Sequence, residues 1–268
     1  MRAIPDIGLH RGLLGLTLLA SAAAAAAAAA HASAQYRPLP AAAFRSALAI
    51  DGVAARIELP AFTMRTEPVT VGEFAIFLAR YPQWRRDRIL PFYANADYLR
   101  DWQTPIVAGP GFADRQPVTE ISWFAARAYC ASEHARLPRW YEWEYAAAAD
   151  STRRDARNDP QRNQRLLADI LRSGGQAPQP IGMQAANVYG IADLGSLVWE
   201  WTEDYAAMFP NADARVAGSG PVLALCGGSA LAFADKNEYA LMLRVAALTA
   251  LKPVDASPHV GFRCVRDL

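Results

Sequence analysis

The fifteen residues 187–201 contain the densest group of side chains that could do chemistry. Two carboxylates, Asp193 and Glu200, lie seven residues apart, and Trp199 and Trp201 flank the second of them. Carboxylate and backbone carbonyl oxygens from a short loop are the ligands that a hard cation such as Ca²⁺ uses. The same residues are also typical of a polar turn that leads into an aromatic strand, so the stretch alone leaves both interpretations open.

The reactive side chains elsewhere are few. The three cysteines are Cys130, Cys226 and Cys264, and the only histidines after the first 34 residues are His134 and His259. An odd number of cysteines allows at most one internal disulfide and leaves one thiol over. A site that needs three imidazoles cannot be built from one copy of such a chain.

The N-terminus is typical of a targeting segment. A basic front precedes an apolar, Ala-rich run over residues 12–30, and Ala32-Ser33-Ala34 supplies small residues at a cleavage site. The run approaches the length of a membrane anchor, but it is weakly hydrophobic for that role. We therefore predict a cleaved signal peptide over residues 1–34 and a periplasmic or secreted protein with no stable membrane span after cleavage.

Length and charge restrict the number of domains and the class of partner of the chain that remains after cleavage. Removing the signal peptide leaves 268 − 34 = 234 residues, enough for one large domain. A formal net charge of +1 without a basic stripe argues against a nucleic-acid partner. Residues 35–59 are rich in Ala and Pro and are predicted to lead along the surface into a domain over residues 60–268.

Three helices are predicted from their starts. Thr70 followed by Glu73 is a capping box, and the helix after it should end near Tyr81. Ser122 is the N-cap of a second helix, and the third covers residues 140–149.

Two carboxylates on the third helix, Glu142 and Glu144, are too closely spaced to share a face. We expect one of them on the surface and the other beside a buried arginine.

The remaining pattern is of short strands and long irregular regions, which indicates an α+β fold. Region 83–117 mixes arginines with aromatic residues, and is either a binding surface or a loop packed on its own rings. Region 150–180 is polar and Arg-rich, typical of an exposed insertion. The predicted strands are Phe62–Met64, Pro117–Ile121, Val222–Cys226, Leu241–Leu248 and Gly261–Val265.

Four segments together carry a family resemblance. Their order and spacing are similar to those of the sulfatase-modifying-factor, or formylglycine-generating-enzyme, family, and with Pro68-Val69-Thr70 the likeness covers roughly residues 60–268. The resemblance implies a variant of the C-type lectin fold with little regular secondary structure. The segments are Gln116–Trp123 with Ala128-Tyr129-Cys130, Arg136-Leu137-Pro138 with Glu142–Ala146, Asn187–Trp201, and Cys226–Ser229 with Gly261–Cys264.

The resemblance also implies a disulfide and a metal site. Family members often join the cysteines equivalent to Cys130 and Cys264, which would leave Cys226 free. The family's second calcium site corresponds to the side chain of Asp193, the carbonyls of Ser196 and Val198, and Glu200. Calcium is therefore the candidate cofactor, although Gly195-Ser196-Leu197 departs from the family's turn.

The catalytic residues of the family are not matched. Its copper enzymes use two cysteines shortly after a Gly-Gly-Ser turn, and residues 230–239 contain none. We therefore do not expect copper or formylglycine chemistry by that mechanism. Arg244 remains from the family's Arg-rich segment, whereas Leu248 replaces its last arginine. Cys226 and Arg244 are the remaining catalytic candidates.

These observations favour an exported accessory or maturation factor for a periplasmic protein or metabolite, with a periplasmic protein or peptide as its partner. One alternative is a non-catalytic, lectin-like module that binds a peptide, a sugar or a partner protein. Another is a divergent oxidoreductase of the formylglycine-generating type. The residues predicted to line a binding cleft are Trp199, Trp201, Trp102 and Arg100.

Overall fold

The computed structural model describes residues 36–50, 53–173, 178–205 and 239–268. The predicted signal peptide, the strand Val222–Cys226 with its thiol, and most of the loop 230–239 lie outside the described residues. Residues Arg37–Leu268 belong to one compact unit. Within the described ranges, no helix is both long enough and apolar enough to cross a membrane.

The described part of the chain combines short helices with short strands, as the α+β prediction requires. Its helices are α1 Val71–Arg80, α2 Trp123–Ser132, α3 Trp140–Ala148, α4 Pro160–Ser173 and α5 Tyr239–Thr249, with a 3₁₀ turn at Pro82–Trp84. Its strands are β1 Tyr36–Leu39, β2 Ala42–Ile50, β3 Val53–Leu59, β4 Phe62–Arg65, β5 Trp199–Glu200, β6 Val260–Gly261 and β7 Val265–Asp267.

The strands form three small sheets. A three-stranded sheet has the order β1-β4-β7, β2 and β3 form an antiparallel hairpin, and β5 pairs in parallel with β6. In the first sheet Phe62 lies opposite Asp267 and Met64 opposite Val265. The C-terminal strand therefore pairs with a strand from the start of the predicted domain, so the two ends of that domain close on each other.

The helix starts confirm the capping predictions. The Thr70 hydroxyl accepts a hydrogen bond from the Glu73 amide at 3.3 Å, and the Glu73 carboxylate accepts one from the Thr70 amide at 2.9 Å. The Ser122 hydroxyl accepts a hydrogen bond from the Ala125 amide at 3.2 Å. These bonds satisfy backbone donors that have no partner within the helix, so α1 and α2 begin where the sequence indicates.

The described residues of the predicted lead-in 35–59, namely 36–50 and 53–59, do not run along the surface as predicted. They form β1, β2 and β3, and the side chains of Phe44, Leu48 and Leu59 are buried. The hairpin packs on α3, where the Glu144 carboxylate accepts hydrogen bonds from the Ser46 hydroxyl and the Ala47 amide, each at 2.6 Å. The prediction was wrong because the many alanines hide the alternation of the few large apolar residues in these strands.

The expectation that either Glu142 or Glu144 lies on the surface was also wrong. Both side chains are buried. Glu144 meets the hairpin, and Glu142 accepts two hydrogen bonds of 2.7 Å from the Arg136 guanidinium. The two residues do face different directions, but both faces of α3 are covered by other elements.

The segment Leu241–Leu248 is helical, not a strand. It lies within α5, whose buried residues Leu241, Arg244, Val245 and Leu248 recur at helical spacing. A short apolar run does not distinguish the two structures by composition, and here the 3.6-residue period is the better guide.

Two other segments differ from what the sequence predicts. Pro117–Ile121 is not a strand: it carries only the bridge between Thr70 and Pro117, and the left-handed backbone at Glu120 interrupts it. In the polar region 150–180, residues Pro160–Ser173 form the helix α4.

One disulfide closes the fold. Cys130 on α2 and Cys264 just before β7 have their sulfur atoms 2.00 Å apart, and both residues are fully buried. This is the pairing that the family resemblance implies, and it joins positions 134 residues apart.

We expect the double variant Cys130→Ala, Cys264→Ala to lower the free energy of unfolding by about 2–5 kcal/mol, because removal of a long cross-link frees the unfolded chain. Urea unfolding under non-reducing conditions measures the change. Cys226→Ala is the matched control and should leave the midpoint nearly unchanged. Equal midpoints for the double variant and the wild type would contradict the stabilising role of this bond.

Candidate functional site around residues 187–201

Asn187 fixes the start of this turn against α3. Its side-chain oxygen accepts hydrogen bonds from the amides of Tyr189 at 3.0 Å and Ile191 at 3.1 Å, and its side-chain nitrogen donates to the carbonyl of Ala146 at 2.8 Å. Gly190, inside the turn, has φ +77°, a backbone conformation that glycine adopts without a steric cost. The local sequence therefore folds back on α3.

Asp193 holds a second loop against the turn. It is buried and has φ +57°. Its carboxylate accepts hydrogen bonds from the amides of Gly182 at 2.6 Å and Gln184 at 3.3 Å. Asp193 thus satisfies backbone donors of the segment that precedes the turn.

Glu200 forms a fully buried ion pair with Arg263. The Arg263 Nε and Nη2 atoms lie 2.7 and 3.0 Å from the two carboxylate oxygens, and neither side chain is exposed. Trp143 on α3 donates its indole N–H to the same carboxylate at 2.9 Å. The pair therefore connects the turn to α3 and to the C-terminal segment.

All the remaining donors of Arg263 also have acceptors. Its Nη1 lies 3.3 Å from the carbonyl oxygen of Arg65 and 3.4 Å from that of Thr66, and its Nη2 donates to the carbonyl of Ala192 at 3.1 Å. A guanidinium has five N–H donors, and here each has a partner. This complete pairing is what allows a charged side chain to lie in the core.

The two carboxylates of the proposed calcium set are committed to N–H donors in this arrangement. Asp193 accepts from two backbone amides, and Glu200 accepts from Arg263 and Trp143. A carboxylate has about four lone-pair sites, so each of the two side chains keeps acceptor capacity towards the six to eight oxygens that calcium needs. No group of three or more His, Cys, Asp or Glu in the described ranges could hold a metal ion. The calcium set uses only two such side chains and stays a prediction.

Of the two catalytic candidates, Arg244 is placed beside the turn and Cys226 lies outside the described residues. Arg244 is buried on α5, and its guanidinium carbon lies 3.7 Å from the ring centroid of Trp143. A Cβ atom on Gly195 would lie 3.2 Å from the Arg244 Nη1 atom. Gly195 therefore provides the space that the guanidinium occupies.

The four residues predicted to line a cleft do not meet on one open surface. Trp102 and Trp201 are buried, and Trp201 donates its indole N–H to the carbonyl of Ile121 at 3.2 Å. Trp199 is half-buried in β5. Arg100 is exposed and pairs with two neighbouring aspartates. The two buried tryptophans belong to the core, so they cannot contact a ligand from solvent.

An exposed group of rings lies elsewhere, and we call it the aromatic surface. Ring centroids are 5.6 Å apart for Trp84 and Tyr93, 6.0 Å for Phe92 and Phe124, 5.4 Å for Tyr93 and Phe124, and 5.4 Å for Trp123 and Phe124. Phe92 is 72% exposed. The sequence singled out region 83–117 but missed its continuation onto α2, which only the tertiary fold brings together.

A cavity of about 550 Å³ opens beside the turn, between the end of α3, α4 and residues 184–194. Its lining includes Asp150 and Asp169. Arg153 donates to Asp150 and holds the pKa of that carboxyl well below its usual range, while Gln184 donates to Asp169 at 3.0 Å. Both of these acids are therefore already hydrogen bonded.

The comparison with protein families decides the classification. The description "Sulfatase-modifying factor enzyme 1-like domain" matches residues 32–268. The chain belongs to this family. The match includes the strands β1, β2 and β3, which agrees with their place in the same compact unit as the rest of the described fold.

Relatives in the family carry different activities in their names. The formylglycine-generating enzyme of Thermomonospora curvata is 31% identical over 62% of this chain and 61% of its own length. Hercynine oxygenase of Mycolicibacterium smegmatis is 30% identical over 58% of this chain and 40% of its length. The "inactive C-alpha-formylglycine-generating enzyme 2" of Bos taurus is 34% identical over 61% of this chain and 55% of its length. The chain thus spans about three fifths or less of each of these relatives.

A solved structure is similar over a longer range. PvdO from Pseudomonas aeruginosa aligns with 87% of this chain and 94% of its own, at 17% identity and a TM-score of 0.49.

We expect Glu200→Gln to lower the free energy of unfolding by about 3–5 kcal/mol, because it leaves the buried Arg263 cation without its carboxylate. Denaturant unfolding measures the loss. Glu58→Gln is the control: Glu58 pairs with Arg56 at the surface, with both side chains more than three-quarters exposed, and this variant should unfold like the wild type. A Glu200→Gln variant as stable as Glu58→Gln would show that the buried pair is not essential.

Glu120 is another buried residue with a carboxyl group, and the sequence analysis did not single it out. It has φ +57° and accepts a hydrogen bond from the Asp101 amide at 3.0 Å. Its own amide donates to the carbonyl of Ser257 at 2.9 Å. Burial raises the pKa of the Glu120 carboxyl to about 7. No sequence signal marks it, because nothing in the residue order shows a left-handed backbone at a glutamate.

The raised pKa of Glu120 predicts a loss of stability as pH rises. The folded protein holds this proton up to about pH 7, whereas the unfolded chain releases it near its ordinary pKa of 4.5. Stability attributable to Glu120 is thus present at pH 4.5 and declines to its minimum above pH 7. We expect the melting temperature to fall less between pH 5 and pH 8 in Glu120→Gln than in the wild type. Glu58→Gln is the control and should follow the wild type; an unchanged slope in Glu120→Gln would refute the assignment.

Proposed function

We propose that this protein is an exported accessory factor of the sulfatase-modifying factor family that binds a polypeptide partner and does not itself generate formylglycine. The proposal rests on the number of cysteines that are available to bind copper. The chain has three cysteines, and Cys130 and Cys264 are joined to each other. One thiol remains, whereas the copper mechanism implied by the family resemblance needs two thiolates.

The position of that single thiol supports the same conclusion. Cys226 precedes the Gly-Gly-Ser turn, and residues 230–239, where the copper pair would be expected, contain no cysteine. A soft Cu(I) ion is held by soft ligands such as thiolates. One thiolate from a single chain does not complete that ligand set.

Export is supported by two independent features. The N-terminus has the basic, apolar and small-residue order of a signal peptide. The disulfide joins two fully buried cysteines, and bonds of this kind persist in oxidising compartments outside the cytosol.

The aromatic surface supports binding of a polypeptide. It presents Phe92 and Tyr93 to solvent, beside Phe124 and Trp123 on α2. The Arg127 guanidinium lies 5.4 Å from the Trp123 ring. Aromatic residues combined with arginine are enriched where proteins bind other proteins.

The relatives support the separation of scaffold from chemistry. The bovine relative named inactive is 34% identical to this chain, and the named enzyme of Thermomonospora curvata is 31% identical. A sequence identity of this size is therefore found both with a relative named inactive and with a relative named as an enzyme. Activity depends on the residues of the site.

A direct assay tests the absence of formylglycine chemistry. The purified protein is loaded with Cu(I) and incubated with a cysteine-containing peptide that the Thermomonospora curvata enzyme converts, and the aldehyde is detected with a hydrazide probe. We expect aldehyde from that enzyme alone. Aldehyde above the metal-only background with this protein would instead support the alternative of a divergent oxidoreductase.

Crosslinking in the periplasm tests partner binding. We expect Phe92→Ala with Tyr93→Ser to abolish the specific crosslink of the wild type, because these substitutions remove the exposed rings of the aromatic surface. Ile76→Ser is the matched control: Ile76 is an exposed apolar residue on α1, 64% accessible and outside that surface. The same crosslink in all three proteins would rule out the aromatic surface as the binding site.

A further inference from the structure

Arg244 is a buried cation, and two of its three side-chain nitrogens have no hydrogen-bond acceptor among the described residues. Its side chain is 1% exposed, and among the described residues neither its Nε nor its Nη2 atom has a hydrogen-bond partner. Burial lowers the pKa of Arg244 to about 10, so the guanidinium still carries its charge at neutral pH. A charge removed from water in this way is strongly unfavourable unless an opposite charge accompanies it.

The carboxylate of Glu200, whose field acts on Arg244, already accepts hydrogen bonds from other residues. Glu200 is the acid whose field acts on Arg244, and both of its oxygens accept hydrogen bonds from Arg263. Trp143 donates to the same carboxylate. Two buried guanidiniums therefore share one carboxylate, so among the described residues one positive charge has no counterpart.

One edge of the Arg244 guanidinium has no hydrogen-bond partner among the described residues. The Trp143 ring covers its face at 3.7 Å, and Gly195, with φ +73°, leaves room for Nη1. Nε and Nη2 form the other edge of the planar group, where two parallel N–H donors are presented. This is the edge that a carboxylate or another single acceptor binds most effectively.

Two further buried donors, on a ring that stacks on Trp143 and on the residue after Gly195, also lack acceptors among the described residues. The Trp140 ring stacks on Trp143 at a centroid distance of 5.6 Å, and its indole N–H is buried and has no hydrogen-bond partner among the described residues. The same is true of the hydroxyl of Ser196, which follows Gly195. The groups on Arg244, Trp140 and Ser196 can each donate, and a negatively charged acceptor is the kind of ligand that satisfies such donors.

We propose that the Nε–Nη2 edge of Arg244, beside Trp143, binds one small monovalent anion, either a halide or a carboxylate of the size of formate. One negative charge neutralises the charge that Glu200 leaves uncompensated. The enclosed position favours a small ion, because a larger ligand could not reach a side chain that is 1% exposed. The proposal concerns binding only and does not depend on the accessory role argued above.

An ion-exchange titration tests the proposal. The purified protein is kept in sodium gluconate at fixed ionic strength, and gluconate is replaced stepwise by bromide or by formate. We expect a saturable rise in melting temperature of about 4–8 °C, with a parallel change in tryptophan fluorescence, since an ion that binds only the folded state stabilises it by mass action. If the two ions compete, formate shifts the bromide curve to higher concentration, and the tighter binder identifies the natural class of ligand.

The decisive variant is Arg244→Met, which removes the charge and keeps a long apolar side chain. It should lose the saturable response, while its melting temperature in gluconate equals or exceeds that of the wild type, because an unpaired buried charge has been removed. Arg100→Met is the matched control, since Arg100 is an exposed arginine that pairs with Asp97 and Asp101. It should retain the full response.

A second variant and a crystal structure keep the test decisive if Arg244→Met fails to fold. Trp140→Phe removes one donor and should weaken bromide binding by roughly three- to tenfold. Crystals grown in bromide should show an anomalous peak within hydrogen-bonding distance of Arg244 Nε and Nη2. A wild type without a saturable response, an equal response in Arg244→Met, or a carboxylate of this chain at that edge would overturn the proposal.

Discussion

The buried pair between Glu200 and Arg263 is the interaction on which the described fold depends most. It lies where four separate segments meet: the turn 187–201, the strand β4 and its exit, α3, and the C-terminal residues. Arg263 donates to backbone carbonyls beyond β4 and in the turn as well as to Glu200. A charged group is tolerated there only because every donor has an acceptor, so each of these segments must be in place before the pair is stable.

The helix α3 extends this constraint to the N-terminal strands. Its Glu144 holds the β2–β3 hairpin, its Glu142 holds Arg136, and its Trp143 donates to Glu200. A short helix with buried acids on more than one face cannot rest on hydrophobic packing alone. Its position is fixed by specific hydrogen bonds to elements far apart in sequence.

The family match and the cysteine positions are independent features of this chain. The match to the sulfatase-modifying factor family covers residues 32–268, whereas residues 230–239 contain no cysteine. The same residues that build the scaffold also leave Arg244 with a charge that the described residues do not compensate. Binding at a family scaffold can therefore differ from family chemistry without any change of fold.

The sequence by itself determined the local features and the family. Thr70 with Glu73 and Ser122 marked two helix starts, because capping needs only residues within one turn of chain. The four motifs in order gave the family and, through it, the pairing of Cys130 with Cys264. The tertiary structure alone decided which side chains meet across long separations. Buried polar partners such as Glu144 and Ser46 are nearly a hundred residues apart, so no pattern in the chain reveals them. It also decided that Trp102 and Trp201 are core residues while Phe92 and Phe124 share a surface, because burial depends on what packs against a residue and not on its type.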